Sequence, residues 1–348
     1  MKSYLPIIVK CSSIRKLALI SYEKSPEAIY RGFELQYIDG EPYGAGYRVI
    51  AYRNDNYVDV YDDISLNFLE DEKFNVVENG LNKHIQTQIN NVRFCKEGNN
   101  QIISFEFTDI QNRKISVHVE ENCKRKSKAM NLLAPVGKGS KAPDFLPVFF
   151  MYDFDFIRKN KLTYICNVDG KDIKPDPFPI PMDGQARLYT RYSNECELLE
   201  FADTLTTQLR EVELDEDNTY RDGNVEYIFE SKDVLKNVVV HFDDHNVQIS
   251  FDAGLSLNKN CAGEFTISPR EQMGYIKGEY RVCRDNNIIN LKMTPKYGWV
   301  SKPNSFITKI ILGKNSLFCS WSKKYEYLST IDLATGKIDA NWKNGNVK

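Results

Sequence analysis

Short alternating runs of aromatic and β-branched residues, each followed closely by a turn signal, constrain this chain most. Examples are residues 47–52, 102–107 and 115–119, and nearby turn signals include Asp39-Gly40 and Asn79-Gly80. Residues two apart point to the same side of a strand, so this period predicts strands with one buried face. Turns this close together connect antiparallel hairpins. The sequence therefore predicts an all-β, mainly antiparallel fold.

The C-terminal part continues this pattern. Its candidate strands are residues 264–268, 275–283, 288–293, 306–312, 317–321, 325–333 and 337–342. One earlier segment has a helical period instead, with apolar residues at Leu198, Phe201, Ala202, Leu205, Leu209 and Val212. Such a stripe predicts one amphipathic helix, although three β-branched threonines in it are indifferent helix formers. We expect one or two short helices at most.

The length of 348 residues favours two domains over one. Residues 126–144 are basic and rich in glycine and proline, which is typical of a solvated linker. We therefore predict an N-terminal antiparallel β unit at 1–125 and a C-terminal one at 145–348. Each is expected to form a barrel or a strongly curved sheet, and the stretch between them to separate two sheet systems.

Similar residues recur at a nearly constant offset, which suggests an internal duplication. Phe94 and Phe229 differ by 135 positions, and Val117 and Phe251 by 134. Alternating strands also align with one another by chance, so a common repeat and a coincidence both stay open. At the fold level, the pattern resembles a tandem arrangement of lipocalin-like barrels, although no motif assigns the chain to a named family.

Charge and cysteine content bear on partners and location. With 46 basic and 48 acidic residues, the net charge of −2 gives no overall attraction to nucleic acid or anionic lipid, and we expect neither as a partner. No apolar run approaches the roughly 20 residues of a membrane span. The eight cysteines include no C-x-x-C pair, which favours free thiols and a cytoplasmic location.

The common cofactor motifs are missing from the sequence. The basic, glycine-containing stretch 137–141 does not fit a phosphate-binding loop, and no G-x-G-x-x-G occurs. His241 and His245 flank a turn between two predicted strands, and no third metal ligand is indicated. We therefore expect neither a metal nor another cofactor, and the sequence identifies no catalytic residue.

The most unusual feature is the aromatic content of 12%, concentrated in part at residues 145–156. Alternation places Phe150, Tyr152 and Phe154 on one face, which we predict points inward as a ligand-binding surface. The same alternation predicts that Asp153 and Asp155 point to solvent. A packed core that binds nothing would show the same aromatic pattern, so that alternative stays open.

Polar anchors for a ligand are predicted on the following strand. Arg187, Tyr189 and Arg191 alternate onto a common face, where they could bind a carboxylate or hydroxyl group. The alternative is that both arginines are surface charges. We expect a protein that binds a small apolar or aromatic molecule, or performs cofactor-free chemistry on it, inside a barrel or at the interface of the two units.

Two other functions remain open. A carbohydrate-active or carbohydrate-binding protein could use exposed aromatic side chains with Asp153 and Asp155, because carboxylate pairs on one strand face have a separation that glycosidases use. A structural or assembly protein would instead pair its sheets with another chain. The sequence alone does not decide whether the chain is an enzyme.

Overall fold

The structure is a computed structural model that describes residues 1–25, 28–69, 79–134, 148–201, 208–303, 305–314, 320 and 322–344. Strand makes up 69% of it and helix 4%, the sheets are mostly antiparallel, and one sheet is curled into a half-barrel. The predicted all-β, mainly antiparallel fold with very little helix is therefore confirmed.

The regular elements are as follows. The strands are β1 (Lys2–Tyr4), β2 (Val9–Cys11), β3 (Ile14–Ser21), β4 (Tyr30–Gly40), β5 (Gly44–Arg53), β6 (Tyr57–Asp63), β7 (Gly80–Thr87), β8 (Asn90–Glu97), β9 (Asn100–Thr108), β10 (Lys114–Glu121), β11 (Met130–Ala134), β12 (Val148–Arg158), β13 (Leu162–Val168), β14 (Lys171–Asp172), β15 (Pro177–Met182), β16 (Gln185–Ser193), β17 (Glu195–Phe201), β18 (Glu211–Glu213), β19 (Thr219–Asp222), β20 (Val225–Ser231), β21 (Val234–His241), β22 (Asn246–Ser256), β23 (Cys261–Ser268), β24 (Gly274–Asp285), β25 (Ile288–Ser301), β26 (Tyr325–Asp332) and β27 (Lys337–Asn344). The helix is α1 (Phe306–Lys314), and 3₁₀ turns lie at Glu271–Met273 and Ser322–Lys324.

The chain forms two compact units that are not continuous in sequence. Unit 1 comprises Met1–Ser12, Leu133–Phe150 and Leu198–Lys348, and unit 2 comprises Ser13–Leu132 and Met151–Glu197. These ranges differ from the boundaries predicted from the sequence.

Unit 2 contains two layers of sheet around one apolar core. The first layer has the strand order β14-β13-β10-β9-β8, and the second contains β16-β3-β4-β5-β6-β7 as consecutive neighbours. The β6–β7 pair is parallel, unlike the hairpins predicted. A single hydrophobic cluster includes Phe33 and Leu35 of β4 together with Phe105 of β9 and Val117 of β10. Burial of these apolar side chains holds the two layers together.

Residues 126–144 do not separate two sheet systems. In the first layer, Val117 of β10 pairs with Cys166 of β13, and in the second Leu19 of β3 pairs with Arg191 of β16. Strands from both sides of the expected linker therefore share both sheets of unit 2. Part of the stretch forms β11, and residues 135–147 lie outside the described ranges.

Unit 1 is built on a nine-stranded antiparallel meander with the order β19 to β27. Two short strands from the beginning of the chain belong to this unit. The first of them, β1, pairs with β18, and the amide of Val9 in β2 donates a hydrogen bond of 2.9 Å to the hydroxyl of Tyr227 in β20. The hairpins of the meander β19 to β27 agree with the hairpins predicted for the C-terminal part of the chain.

The predicted helix near residues 198–212 is wrong where the structure describes it. Residues up to Phe201 belong to β17, in which Leu199 pairs with Cys11 of β2, and 211–213 form β18. Pairing with neighbouring strands outweighs a helical period that contains β-branched residues. Residues 202–207 lie outside the described ranges.

The predicted strand at 306–312 is also wrong, because these residues form α1. Ser305 explains the start of this helix. Its hydroxyl oxygen accepts a hydrogen bond of 3.1 Å from the amide of Thr308, and its carbonyl accepts one of 2.9 Å from the amide of Lys309. An N-terminal serine cap thus starts a helix in a β-branched segment. Most of the next predicted strand, 317–321, lies outside the described ranges.

The predicted duplication has a limited structural counterpart. Phe94 and Val117 lie in the consecutive strands β8-β9-β10, and Phe229 and Phe251 lie in β20-β21-β22, also consecutive. Any antiparallel meander has this order, so the shared order does not identify a repeat. The duplication and the likeness to lipocalin barrels stay predictions.

Candidate functional site

One face of the second layer in unit 2 carries polar side chains that are nevertheless buried. Phe33 and Leu35 of β4 point into the apolar core, so Glu34 and Gln36 point to the opposite side. Only 8% of Glu34 and 5% of Gln36 is exposed. Charged and amide side chains are rarely buried to this extent without a specific role in packing or binding. We call the side of the sheet that carries Glu34, Gln36, Tyr52 and Arg191 the polar face.

Glu34 is the centre of a short hydrogen-bond network. Its carboxylate accepts hydrogen bonds of 2.6 Å from the Tyr52 hydroxyl and 2.6 Å from the Gln36 Nε2. Burial raises the pKa of the Glu34 carboxyl, and the two hydrogen bonds oppose this shift. The Gln36 Oε1 is buried and accepts no hydrogen bond in the described part of the chain.

Arg191 of β16 lies in the same row of the sheet as Glu34. Arg191 pairs with Leu19 of β3, and Leu19 pairs with Glu34 of β4. Neighbouring strands are about 4.8 Å apart, so the Cα atoms of Arg191 and Glu34 are roughly 10 Å apart. Burial lowers the pKa of the Arg191 guanidinium, and the charge of Glu34 opposes this shift. Arg191 is half-buried and makes no hydrogen bond or ion pair within the described residues.

An aromatic cluster adjoins Arg191 on its other side. Phe156 of β12 pairs with Arg191, and its ring centroid lies 4.6 Å from that of Phe178. The Phe178 ring lies 4.9 Å from Tyr189, and the Phe154 ring lies 5.4 Å from Phe156. We call Phe154, Phe156, Phe178 and Tyr189 the aromatic cluster. All but Phe154 are half-buried, so the cluster offers partly accessible ring surface beside a cation.

The thiol of Cys196 also lies within electrostatic range of Glu34. Burial raises the pKa of Cys196 to about 12, and the charge of Glu34 contributes to the shift. In the sheet order, β17 is separated from β4 by β12, β16 and β3. Curvature of the sheet accounts for this proximity, because strands that far apart in a flat sheet would lie about 19 Å apart.

Arg187 is placed in a different cluster from Arg191. Its side chain is 1% exposed, and its Nε and Nη2 donate hydrogen bonds of 3.2 Å to Asp155 and 3.1 Å to Asp183. Burial raises the pKa of Asp155 to about 6, while the charge of Arg187 opposes the shift. Arg187 is therefore a buried structural cation and not a surface charge, although it is the cross-strand neighbour of Phe178 in the aromatic cluster.

The expectation that Asp153 and Asp155 both face solvent is wrong for Asp155, which is 1% exposed. Asp153 has a backbone φ of 53° and interrupts the alternation of β12. Asp153 is half-exposed and forms a 2.6 Å ion pair with Lys96, whereas Asp155 contacts Arg187 and the Ser127 hydroxyl. The two carboxylates thus have separate partners and do not form an open acid–base pair.

The three aromatic residues predicted to bind a ligand are all buried. Phe150 is 0% exposed, Tyr152 4% and Phe154 5%. Phe154 belongs to the aromatic cluster, while the Tyr152 hydroxyl donates a 2.8 Å hydrogen bond to Glu197. Phe150 belongs to unit 1. Of the predicted site, the structure therefore brings Phe154, Tyr189 and Arg191 together.

Sequence reasoning missed Glu34, Gln36, Tyr52 and Phe178. A signal for the first two was present, because Glu34 and Gln36 alternate with the apolar Phe33 and Leu35. Such alternation gives a sheet with two different faces. Phe178 lies in β15, a strand that contains three prolines and pairs with β16.

Within the described ranges, no group of three or more histidine, cysteine, aspartate or glutamate side chains is arranged to hold a metal ion. In the same part of the chain, no helix has the length and apolar character needed to span a membrane. No protein family matches this chain, and no curated protein and no solved structure matches it either.

Proposed function

We propose that this protein binds a small molecule with an apolar or aromatic body and an anionic group on the polar face of unit 2. The observation that carries the proposal is Arg191, a half-buried cation without a hydrogen bond or ion pair in the described part of the chain. Removing a cation from water is costly unless a partner compensates it. An anionic ligand supplies such a partner.

The aromatic cluster supports the proposal that the ligand has an apolar or aromatic body. Phe156, Phe178 and Tyr189 are half-buried, and Phe156 is the direct cross-strand neighbour of Arg191. Ligand sites typically combine aromatic walls with a few polar groups that fix orientation. The ring surfaces can contact the body of a ligand while Arg191 binds its anionic group through charge-assisted hydrogen bonds.

Binding of 3-phenylpropionate, compared with the uncharged 3-phenylpropanamide, tests this proposal. Isothermal titration calorimetry of the wild-type protein should show at least about tenfold tighter binding of the acid, because a hydrogen bond to a charged group contributes roughly 1.5–3 kcal/mol. The Arg191→Met variant should lose this preference. The exposed Arg281 on β24 provides a matched control, and Arg281→Met should behave like the wild type.

Equal affinity for acid and amide, or an unchanged preference in Arg191→Met, would contradict the proposal. So would the absence of binding for both compounds at millimolar concentration. The carbohydrate function has no comparable support, because Asp153 and Asp155 have separate partners.

A further inference from the structure

The polar face presents acceptors as well as a cation. The Gln36 Oε1 is buried and accepts no hydrogen bond from the described residues. Among the described residues, only Tyr52 and Gln36 donate hydrogen bonds to the Glu34 carboxylate, although a carboxylate has about four lone-pair sites. Two acceptors that can take further hydrogen bonds therefore lie on the same face as Arg191, for which the described ranges provide no hydrogen bond or ion pair.

The residues on β3 that lie next to these polar groups cannot form hydrogen bonds or ion pairs with them through their side chains. Leu19 lies between Arg191 and Glu34 in the row, and Leu17 lies beside Gln36. Both leucines are apolar, so they neither donate a hydrogen bond to the acceptors nor bind the guanidinium. Arg191 makes no hydrogen bond or ion pair within the described residues, so its guanidinium has no direct contact with the Glu34 carboxylate. A ligand with groups of both signs complements this arrangement better than a simple anion does.

We propose that the ligand is an aromatic or apolar amino acid, whose carboxylate binds Arg191 and whose ammonium group donates hydrogen bonds to Glu34 and Gln36. This inference rests on the proposed function of the same face. The charge-assisted hydrogen bonds of the ammonium account for the buried carboxyl at Glu34, and the aromatic cluster contacts the side chain of the ligand. A purely anionic ligand would leave the Gln36 Oε1 without a donor.

Three compounds that share one aromatic body separate the contributions of the two charges. Phenylalanine carries both charged groups, 3-phenylpropionate lacks the ammonium, and phenethylamine lacks the carboxylate. Titration calorimetry with the wild-type protein should give the tightest binding for phenylalanine, by about tenfold or more over either analogue. This comparison needs no variant, so it does not depend on whether a substituted chain folds.

Variants then assign each charge to a residue. Glu34→Gln keeps the shape of the side chain and should weaken phenylalanine about tenfold while leaving 3-phenylpropionate unchanged. Arg191→Met should weaken both compounds, and Arg281→Met neither. The thermal midpoint of each variant, measured without ligand, confirms that it is folded.

The outcomes distinguish this inference from the proposed function. If 3-phenylpropionate binds as tightly as phenylalanine, the amino-acid inference is overturned and binding of an anion at Arg191 stands. If Glu34→Gln weakened the binding of phenylalanine and of 3-phenylpropionate equally, the inference would also be overturned. Glu34 would then not bind the ammonium group specifically. If none of the three compounds binds, both proposals fail.

Discussion

Arg191 and Glu34 lie in one row across the sheet of unit 2, with only Leu19 between them, and no ion pair joins their side chains. Opposite charges that are buried close together normally approach within hydrogen-bond distance, because the contact offsets the cost of removing them from water. Here Glu34 is compensated by hydrogen bonds from Tyr52 and Gln36, whereas Arg191 has no such compensation among the described residues. The arrangement suits a face that exchanges water for a ligand, and it has measurable consequences for stability.

Arg191→Met should stabilise the protein without ligand. The substitution retains an apolar side chain beside Phe156 and removes a half-buried cation that has no hydrogen bond or ion pair in the described chain. We expect the free energy of unfolding in urea to rise by about 1 kcal/mol, at an unchanged denaturant dependence. A loss of stability of similar size would show that the guanidinium has a stabilising partner.

Asp155 should make stability depend on pH in mildly acidic solution. Its pKa rises from about 3.9 in the unfolded chain to about 6 in the folded one, chiefly through burial. A raised carboxyl pKa contributes stability below the unfolded value, and this contribution is lost as the pH increases through the folded value. The loss amounts to about 2 to 3 kcal/mol between pH values of about 4 and 7.

Asp155→Asn provides the measurement. The contributions of the other titrating groups cancel when the unfolding free energy of the variant is subtracted from that of the wild type. As the pH rises from about 4 to about 7, the wild type should lose stability relative to the variant. A shift in the opposite direction would show that the ion pair with Arg187 outweighs burial.

The buried pair of Arg158 and Glu121 should be sensitive to removal of one partner. Both side chains are 0% exposed, and the Arg158 Nε and Nη2 donate hydrogen bonds of 3.0 and 2.7 Å to the carboxylate. Arg158→Met should cost about 3–5 kcal/mol of unfolding free energy, because it leaves Glu121 charged and buried without its counter-ion. Adding Glu121→Gln should recover part of this loss, as measured by urea denaturation. A double variant less stable than the single one would contradict this account.

Gly32 should not tolerate a larger residue. A Cβ atom at this position would lie 2.6 Å from the carbonyl oxygen of Ile20 on β3, and a backbone atom yields less easily than a side chain. Gly32→Ala should therefore lower the unfolding free energy by about 1–3 kcal/mol. Gly313 in α1 is the control, since a Cβ there meets nothing within 4 Å, and Gly313→Ala should stabilise by up to about 1 kcal/mol. If Gly32→Ala and Gly313→Ala changed the thermal midpoint equally, the steric explanation would be ruled out.

The cysteines should differ in their reactivity. Cys283 is exposed, whereas Cys123, Cys166 and Cys196 are buried, and burial raises the pKa of Cys166 and of Cys196 to about 12. Because the thiolate is the reactive form, iodoacetamide should modify Cys283 well before these three in the native protein. Peptide mass spectrometry over a time course measures the order. Early modification of Cys196 would contradict this order and show that its buried thiol is readily exposed.

Alternation in the sequence predicts most of the fold because it reports directly which strand residues are buried. It succeeds for β9 and β10, in which polar and apolar residues largely separate onto the two faces. It fails at α1, where one serine cap decides between helix and strand. It also cannot show that β10 pairs with β13, since that pairing depends on contacts distant in sequence.

The site is predictable only where the strand register stays regular. Tyr189 and Arg191 alternate as expected, but the pairing of β16 with β12 shifts between Phe156 and Arg158, and Arg187 lies beyond this shift. A β-bulge changes the direction of later side chains, and no residue type in β16 predicts this bulge. The positive φ of Asp153 has the same effect on Asp155.

The discontinuous make-up of the two units has a consequence for biosynthesis. In unit 1, Val9 bonds to Tyr227, which is 218 positions later, and β1 pairs with β18. A ribosome therefore releases the whole of unit 2 before the partners of the first strands exist. Contacts over such sequence distances form slowly, and unpaired strand edges invite association with other chains. Newly made β1 and β2 therefore stay without their strand partners until the chain has been made as far as residue 213 of 348.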